Sequence, residues 1–285
     1  MIIDIHTHIF PEKIVDKAML GMEKAARAKR YVRGTKDELI ASMKKAGIDI
    51  SVNLPVATNP SQPHKLNLTA IEINKHTEET GILSFGAVHP DDEHWEEELQ
   101  FISDNGIRGI KLHPMYQKTR FDDIRYMRLI EKAAELDLVV IVHSGEDIGV
   151  PGEALLTPKM AIDVVEKTGI KKLILAHMGG WGIWQDVYNY LAGAPVYIDT
   201  GFSFGMVNYH PDFPRTDEER MLCDDRLIRD IIKKHGADKV LFGSDSPWDD
   251  QKEDIDYLKN LDLTDDELRM ILGGNAEILL GLDVK

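Results

Sequence analysis

Eight short, β-branched runs recur along the chain, at residues 2–5, 48–54, 82–88, 107–112, 138–142, 173–176, 195–198 and 239–242, with amphipathic stretches between them. Strands separated by helices cannot turn back on themselves in tight hairpins, so their neighbours pair in parallel and both sheet faces must be covered. The intervening stretches have the matching period. Ile124, Met127, Ile130 and Ala134 are spaced by three, three and four residues, which predicts one apolar stripe on a helix. Thr35 with Glu38, Thr216 with Glu219, and Thr264 with Glu267 fit capping boxes, and Thr157 precedes Pro158, so helix starts are signalled in the sequence. Eight strands alternating with helices match a single (β/α)8 TIM barrel of the α/β class. A doubly wound sheet would satisfy the same alternation with fewer strands.

No Pro/Ser/Gly linker, charge block or low-complexity segment divides the 285 residues, so one domain is expected over 1–285. With 43% apolar and 29% charged residues, the composition is that of an ordinary globular chain. The longest irregular piece, residues 200–215, is expected to form a loop after the seventh strand. Against 49 acidic residues stand 34 basic ones, a net charge of −15 that repels phosphate backbones and anionic lipid and excludes nucleic acid as a general partner. No apolar run reaches the roughly 20 residues of a membrane helix. Cys223 is the one cysteine and no basic segment precedes a sustained apolar stretch at the start, so a cytoplasmic location is expected.

Polar residues able to bind metal fall at the ends of these runs, where a barrel brings side chains together. His6 and His8 end the first, His143 the fifth, His177 the sixth and Asp245 the eighth. Period-two alternation predicts Asp4, His6 and His8 on one face of the first strand, with Ile3 and Ile5 on the other. A lone histidine is usually hydrogen-bonded or at the surface, and a lone Asp after a strand is often a helix cap. Five such residues at strand ends instead predict a site for zinc or another divalent transition ion. His64, His76, His94 and His235 fall in helices or loops and are expected at the surface, and His210 in the long loop is expected to face solvent. His89 ends the third run and carries no assignment.

His6-Thr7-His8, His143, His177 and Asp245 resemble the amidohydrolase superfamily of metal-dependent barrel enzymes across the whole chain. Gly109-Ile110-Lys111-Leu112-His113-Pro114, Ala176-His177-Met178-Gly179-Gly180 and Gly243-Ser244-Asp245-Ser246-Pro247, with Gly274-Asn275-Ala276-Glu277, resemble the branch containing aminocarboxymuconate-semialdehyde decarboxylase, aromatic-acid decarboxylases and lactone hydrolases. The resemblance implies that His6, His8, His143 and Asp245 hold one ion per chain and that His177 and Asp245 are catalytic. Two-metal members bridge their ions through a carboxylated lysine near the place of Lys111, which leaves a second ion as an alternative. Alternation turns Gly109, Lys111 and His113 inward, so Lys111 and His113 are candidate substrate-binding residues. Trp181 is either packing or an aromatic wall for a planar substrate, whereas Trp184 is expected to pack. Gly201-Phe202-Ser203-Phe204-Gly205 spells a nucleophile elbow, but Asn208, Pro211 and Pro214 follow where that motif requires a helix.

The leading expectation is hydrolysis of a small ester, lactone or amide by metal-activated water; the alternative is non-oxidative decarboxylation of a small unsaturated or aromatic acid. Lys111 beside a cationic metal predicts a small anionic or carbonyl-containing substrate. A barrel that has lost catalysis disagrees with the filled ligand positions, and a nuclease disagrees with the charge. A homo-oligomer is compatible with the sequence.

Overall fold

The structure, a computed structural model, describes residues 1–282. Nine strand segments follow in order: β1 (Ile3–Thr7), β2 (Ile50–Asn53), β3 (Ile82–Ser84), β4 (Gly86–Ala87), β5 (Gly109–Leu112), β6 (Val139–Val142), β7 (Leu173–Leu175), β8 (Tyr197–Asp199) and β9 (Val240–Leu241). Ladders run β1-β2-β3 and β4 through β9 in sequence order, all of their pairs parallel. β3 and β4 are one stave broken at Phe85, whose N–H still donates to the Asn53 carbonyl at 3.0 Å. The circuit closes between the last strand and the first: Ile5 N–H donates to Phe242 O at 2.9 Å and Asp245 N–H to His6 O at 2.8 Å. Each of the eight runs expected as a strand is therefore a stave, and the fold is the (β/α)8 barrel.

The strands divide their side chains between two apolar layers. Ile110, Leu112, Val140 and Val142 pack outward with helix residues such as Leu129, Ile130 and Val164. Val139, Ile141 and Ile174 join Phe85, Val52 and Leu83 in a separate inner cluster. Helix ends follow the sequence signals: Thr216 and Thr264 complete reciprocal capping boxes, and Thr157 caps the helix that Pro158 opens. Thr35 caps its helix as well, but the Glu38 carboxylate turns to the Arg33 N–H, so that box is one-sided.

Three expectations need correction. In the helix Ile124–Glu135 the buried stripe is Tyr126, Met127, Leu129, Ile130 and Ala133, while Ile124 at the first turn is 75% exposed. His235 is buried at the end of the helix Asp225–His235, where Nε2 donates to Val196 O at 2.9 Å and Nδ1 accepts from Gly193 N–H at 3.2 Å. The third concerns β1, where simple alternation fails. Ile3 and Ile5 lie in the inner cluster, whereas Asp4 accepts hydrogen bonds from Ser244 Oγ at 2.6 Å and Gln251 Nε2 at 2.7 Å. The β1–β2 register shifts between Asp4 and Thr7. This irregularity changes the strand's parity and admits His6 to the interior after Ile5.

Residues 200–215 form the expected irregular loop after β8 and carry turns and bends without a helix before Asp217. Ser203 is fully buried there, and its hydroxyl donates to Gly201 O at 2.9 Å, which is no nucleophile elbow. Among the described residues, no helix is long and apolar enough to cross a membrane.

Candidate active site

The C-terminal ends of β1, β5, β6, β7, β8 and the turn after β9 converge on one cavity of about 900 Å³, lined by His6, His8, Lys111, His113, His143, His177, Trp181 and Asp245 among others. The residues expected to bind metal or substrate or to act in catalysis are therefore brought to one cavity, although their groupings differ from the expected set.

His6, His8 and Asp245 form the tightest donor group. Asp245 Oδ1 lies 3.4 Å from His6 Nε2 and 3.1 Å from His8 Nε2. Each imidazole is fixed by its other nitrogen: His6 Nδ1 faces Asp199 Oδ2 at 3.0 Å and His8 Nδ1 faces Leu54 O at 2.8 Å. Both Nδ1 atoms meet acceptors and so carry the protons, which leaves both Nε2 lone pairs turned toward the carboxylate of Asp245. Three electron-pair donors then converge, and a cation relieves their repulsion. Donors about 2.1 Å from one divalent ion stand roughly 3.0–3.4 Å apart, so these spacings fit a metal centre.

His143 and His177 repeat the pattern. His143 Nε2 donates to Glu146 O at 2.9 Å and His177 Nδ1 to Gly201 O at 2.8 Å, so His143 Nδ1 and His177 Nε2 meet as lone pairs at 2.9 Å. Burial pushes both rings to the neutral state, lowering His143 to about 3 and His177 to about 4. His143 is thus joined to His177 and not directly to the His6, His8, Asp245 group. On its other side, Asp147 Oδ2 lies 3.8 Å from His143 Nε2 and 3.5 Å from His113 Nε2. His113 is stacked between Tyr116, at 3.8 Å between ring centroids, and His143, at 4.1 Å.

Lys111 is 1% exposed, and its Nζ lies 3.1 Å from His6 Nε2. Burial lowers its pKa to about 8, opposed by the carboxylates of Asp199 and Asp245. The pKa of Asp245 is lowered as well, which here favours the charged form. Burial raises its pKa, but His6, His8 and His177 together outweigh that effect and hold it below the ordinary carboxylate value.

The backbone is shaped for this convergence. His177 and Asp245 adopt left-handed conformations with φ of 61° and 62°, which cost non-glycine residues roughly 1–2 kcal/mol and are kept where the surroundings enforce them. At Gly243, an added Cβ would stand 2.8 Å from His6 Cβ, so glycine is what lets the two strand ends approach. Trp181 lines the cavity, with Phe202 stacked at 6.5 Å, whereas Trp184 packs against the core and donates Nε1 to His177 O at 3.1 Å.

Two site residues escaped the sequence reading. Asp199, fully buried, accepts from the backbone N–H groups of His177 and Gly201 through Oδ1 while Oδ2 meets His6. It stands one residue beyond the apolar run 195–198, so reading that run one position further finds it. Asp147 lies four residues after His143 in a loop, with no periodic signal to mark it. His64, His76 and His94 are exposed as expected, and His210 is half-buried outside the residues lining the cavity. His89 is buried, and its Nδ1 accepts from Asp91 N–H at 3.1 Å.

The fold and site define a (β/α)8 barrel with histidine and aspartate donors gathered at its C-terminal mouth. The amidohydrolase family model matches residues 3–282, and the chain belongs to that family. No curated protein matches the chain. Among solved structures, it is similar to a 2,6-dihydroxybenzoate decarboxylase complexed with 2,6-dihydroxybenzoate, at 18% identity and TM-score 0.71 over 99% of both chains. A dihydroxybenzoic acid decarboxylase from Polaromonas, with bound manganese and the inhibitor 2-nitroresorcinol, aligns at 16% identity and TM-score 0.70 over 100% of this chain and 98% of that one. The 5-carboxyvanillate decarboxylase from Sphingomonas paucimobilis aligns at 14% identity and TM-score 0.68 over 99% of both.

Proposed function

We propose that the protein is a metal-dependent, non-oxidative decarboxylase of a small aromatic or unsaturated acid. Of the two reactions that the sequence admits, this one stands ahead of ester, lactone or amide hydrolysis. The observation that carries it is the buried Lys111 ammonium beside the donor cluster. A hydrolase needs metal-activated water and a base, whereas a buried cation at the cavity floor gives a substrate carboxylate its counter-ion. The similarity to aromatic-acid decarboxylases supports the same reading.

His6, His8 and Asp245 would hold the divalent ion, while His143, expected from the sequence as a further ligand, has Nε2 on Glu146 O and Nδ1 against His177 and stands outside that group. Manganese and zinc both suit the nitrogen and oxygen donors, and manganese occurs in the Polaromonas neighbour. The bound ion would supply a Lewis-acidic anchor for the carboxylate and an adjacent substrate oxygen. Asp199 holds the His6 ring in its donor orientation. Lys111 pairs with the carboxylate that is lost. His177 has Nδ1 committed to Gly201 O, so Nε2 is the atom that takes up a proton and passes it to the substrate carbon. As that C–H bond forms, the bond from the same carbon to the carboxylate breaks, its electron pair stays with the ring and carbon dioxide leaves.

The test is a panel of hydroxybenzoates assayed for carbon dioxide release, alongside esters and lactones assayed for acid release, with manganese- or zinc-loaded protein. Carbon dioxide from an aromatic acid supports the reading; acid release alone returns the protein to the hydrolases.

A further inference from the structure

The cavity is larger than a single-ring acid needs. Its volume of about 900 Å³ lies near the top of the range for small-molecule sites, and the donor cluster with Lys111 makes up only part of its lining. From there an apolar arm runs between the helix Val15–Ala26 and Ile148, Trp181 and Phe202. The helix buries Val15, Met19 and Ala26 against the protein, yet Ala18, Met22 and Ala25, spaced by four and three, line the cavity with small or flexible side chains. The same three residues also line an adjoining open groove of about 540 Å³, together with Lys17, Tyr116 and Gly149.

We propose that this arm is a subsite for an extended apolar substituent, an alkyl chain or second ring, on the acid whose carboxylate sits at Lys111. The inference rests on the acid-substrate reading above and adds to it the chemistry of the substrate's far end. On the helix side the arm presents Ala18, Met22 and Ala25, and opposite them stand Ile148, Phe202 and the indole of Trp181, whose buried Nε1 has no partner among the described residues, so the arm matches a mainly apolar substituent with room for one acceptor at Trp181.

The experiment compares a hexyl-substituted hydroxybenzoate with its unsubstituted parent on the metal-loaded enzyme, using calorimetric Kd as well as turnover. The hexyl acid is expected to bind at least tenfold tighter to the wild type. Ala18→Phe, which fills the arm, is expected to abolish that preference and leave the parent acid unchanged; Ala18→Leu, gentler on folding, is expected to reduce it. Equal binding of the two acids by the wild type overturns the subsite, as does equal weakening of both in the variants, which marks an access path. If the hexyl acid binds tightly and loses affinity in Ala18→Phe while neither acid is decarboxylated, the subsite stands and the assigned reaction falls.

Discussion

His143 Nδ1 and His177 Nε2 face each other across 2.9 Å while the other nitrogen of each ring donates to a backbone carbonyl. Both rings are buried neutral, so no proton of their own separates the two lone pairs. The pairing joins the expected metal ligand His143 to the expected proton carrier His177. Any substitution at either position therefore has to be read by metal content as well as by rate.

Metal content is the first measurement. His6→Ala removes one of the three donors His6, His8 and Asp245 and is expected to release the ion on dialysis, while His94→Ala, at an exposed position, is expected to keep it. Elemental analysis of both variants decides, and equal ion content in the two would remove His6 from the ligand set.

For His177→Ala the ion is expected to remain and kcat to fall by about 10² to 10⁴, the range for losing a positioned acid or base. Loss of metal in step with activity would make His177 a ligand. It would then favour a two-ion centre completed by a carboxylated Lys111, whose Nζ already lies 3.1 Å from His6 Nε2.

Asp199→Asn keeps the size of the side chain but removes the carboxylate that orients His6 and caps the His177 backbone. Metal affinity is expected to drop about 10- to 100-fold, as for other residues that orient a ligand from behind. A competition titration with a chelator measures it, and unchanged affinity would reduce Asp199 to a packing residue.

His235 sets a pH dependence away from the site. Burial holds its pKa at about 4, below the ordinary 6.5, so the unfolded chain binds more protons between those values. Its stabilising contribution is complete above pH 6.5 and is lost as the pH falls toward 4, a change of about 3 kcal/mol. Urea unfolding of His235→Gln should show a smaller loss between neutral and acid pH than the wild type, and an identical loss would refute the assignment.

Eight strands, their order and the gathering of His6, His8, His143, His177 and Asp245 were legible in the sequence, because β-branched runs, capping boxes and polar residues at strand ends are local signals read one segment at a time. The inward turn of Lys111 was legible too, since β5 keeps a regular pleat and Ile110 and Leu112 pack outward as alternation requires. The same rule misassigned β1, where a register shift intervenes, and the helix-end position of His235 suggested exposure although Val196 and Gly193 cover it.

By itself, the sequence determined the staves of the barrel and the residue types at its mouth, because hydrophobic period and helix capping act over a few neighbouring residues. Tertiary structure alone decided which donors meet. Asp199 reaches His6 across 193 positions of chain, and His143 is paired with His177 instead of directly with Asp245. Those pairings depend on barrel closure, on the parity change in β1 and on left-handed backbone at His177 and Asp245, each imposed by packing between segments far apart in the chain.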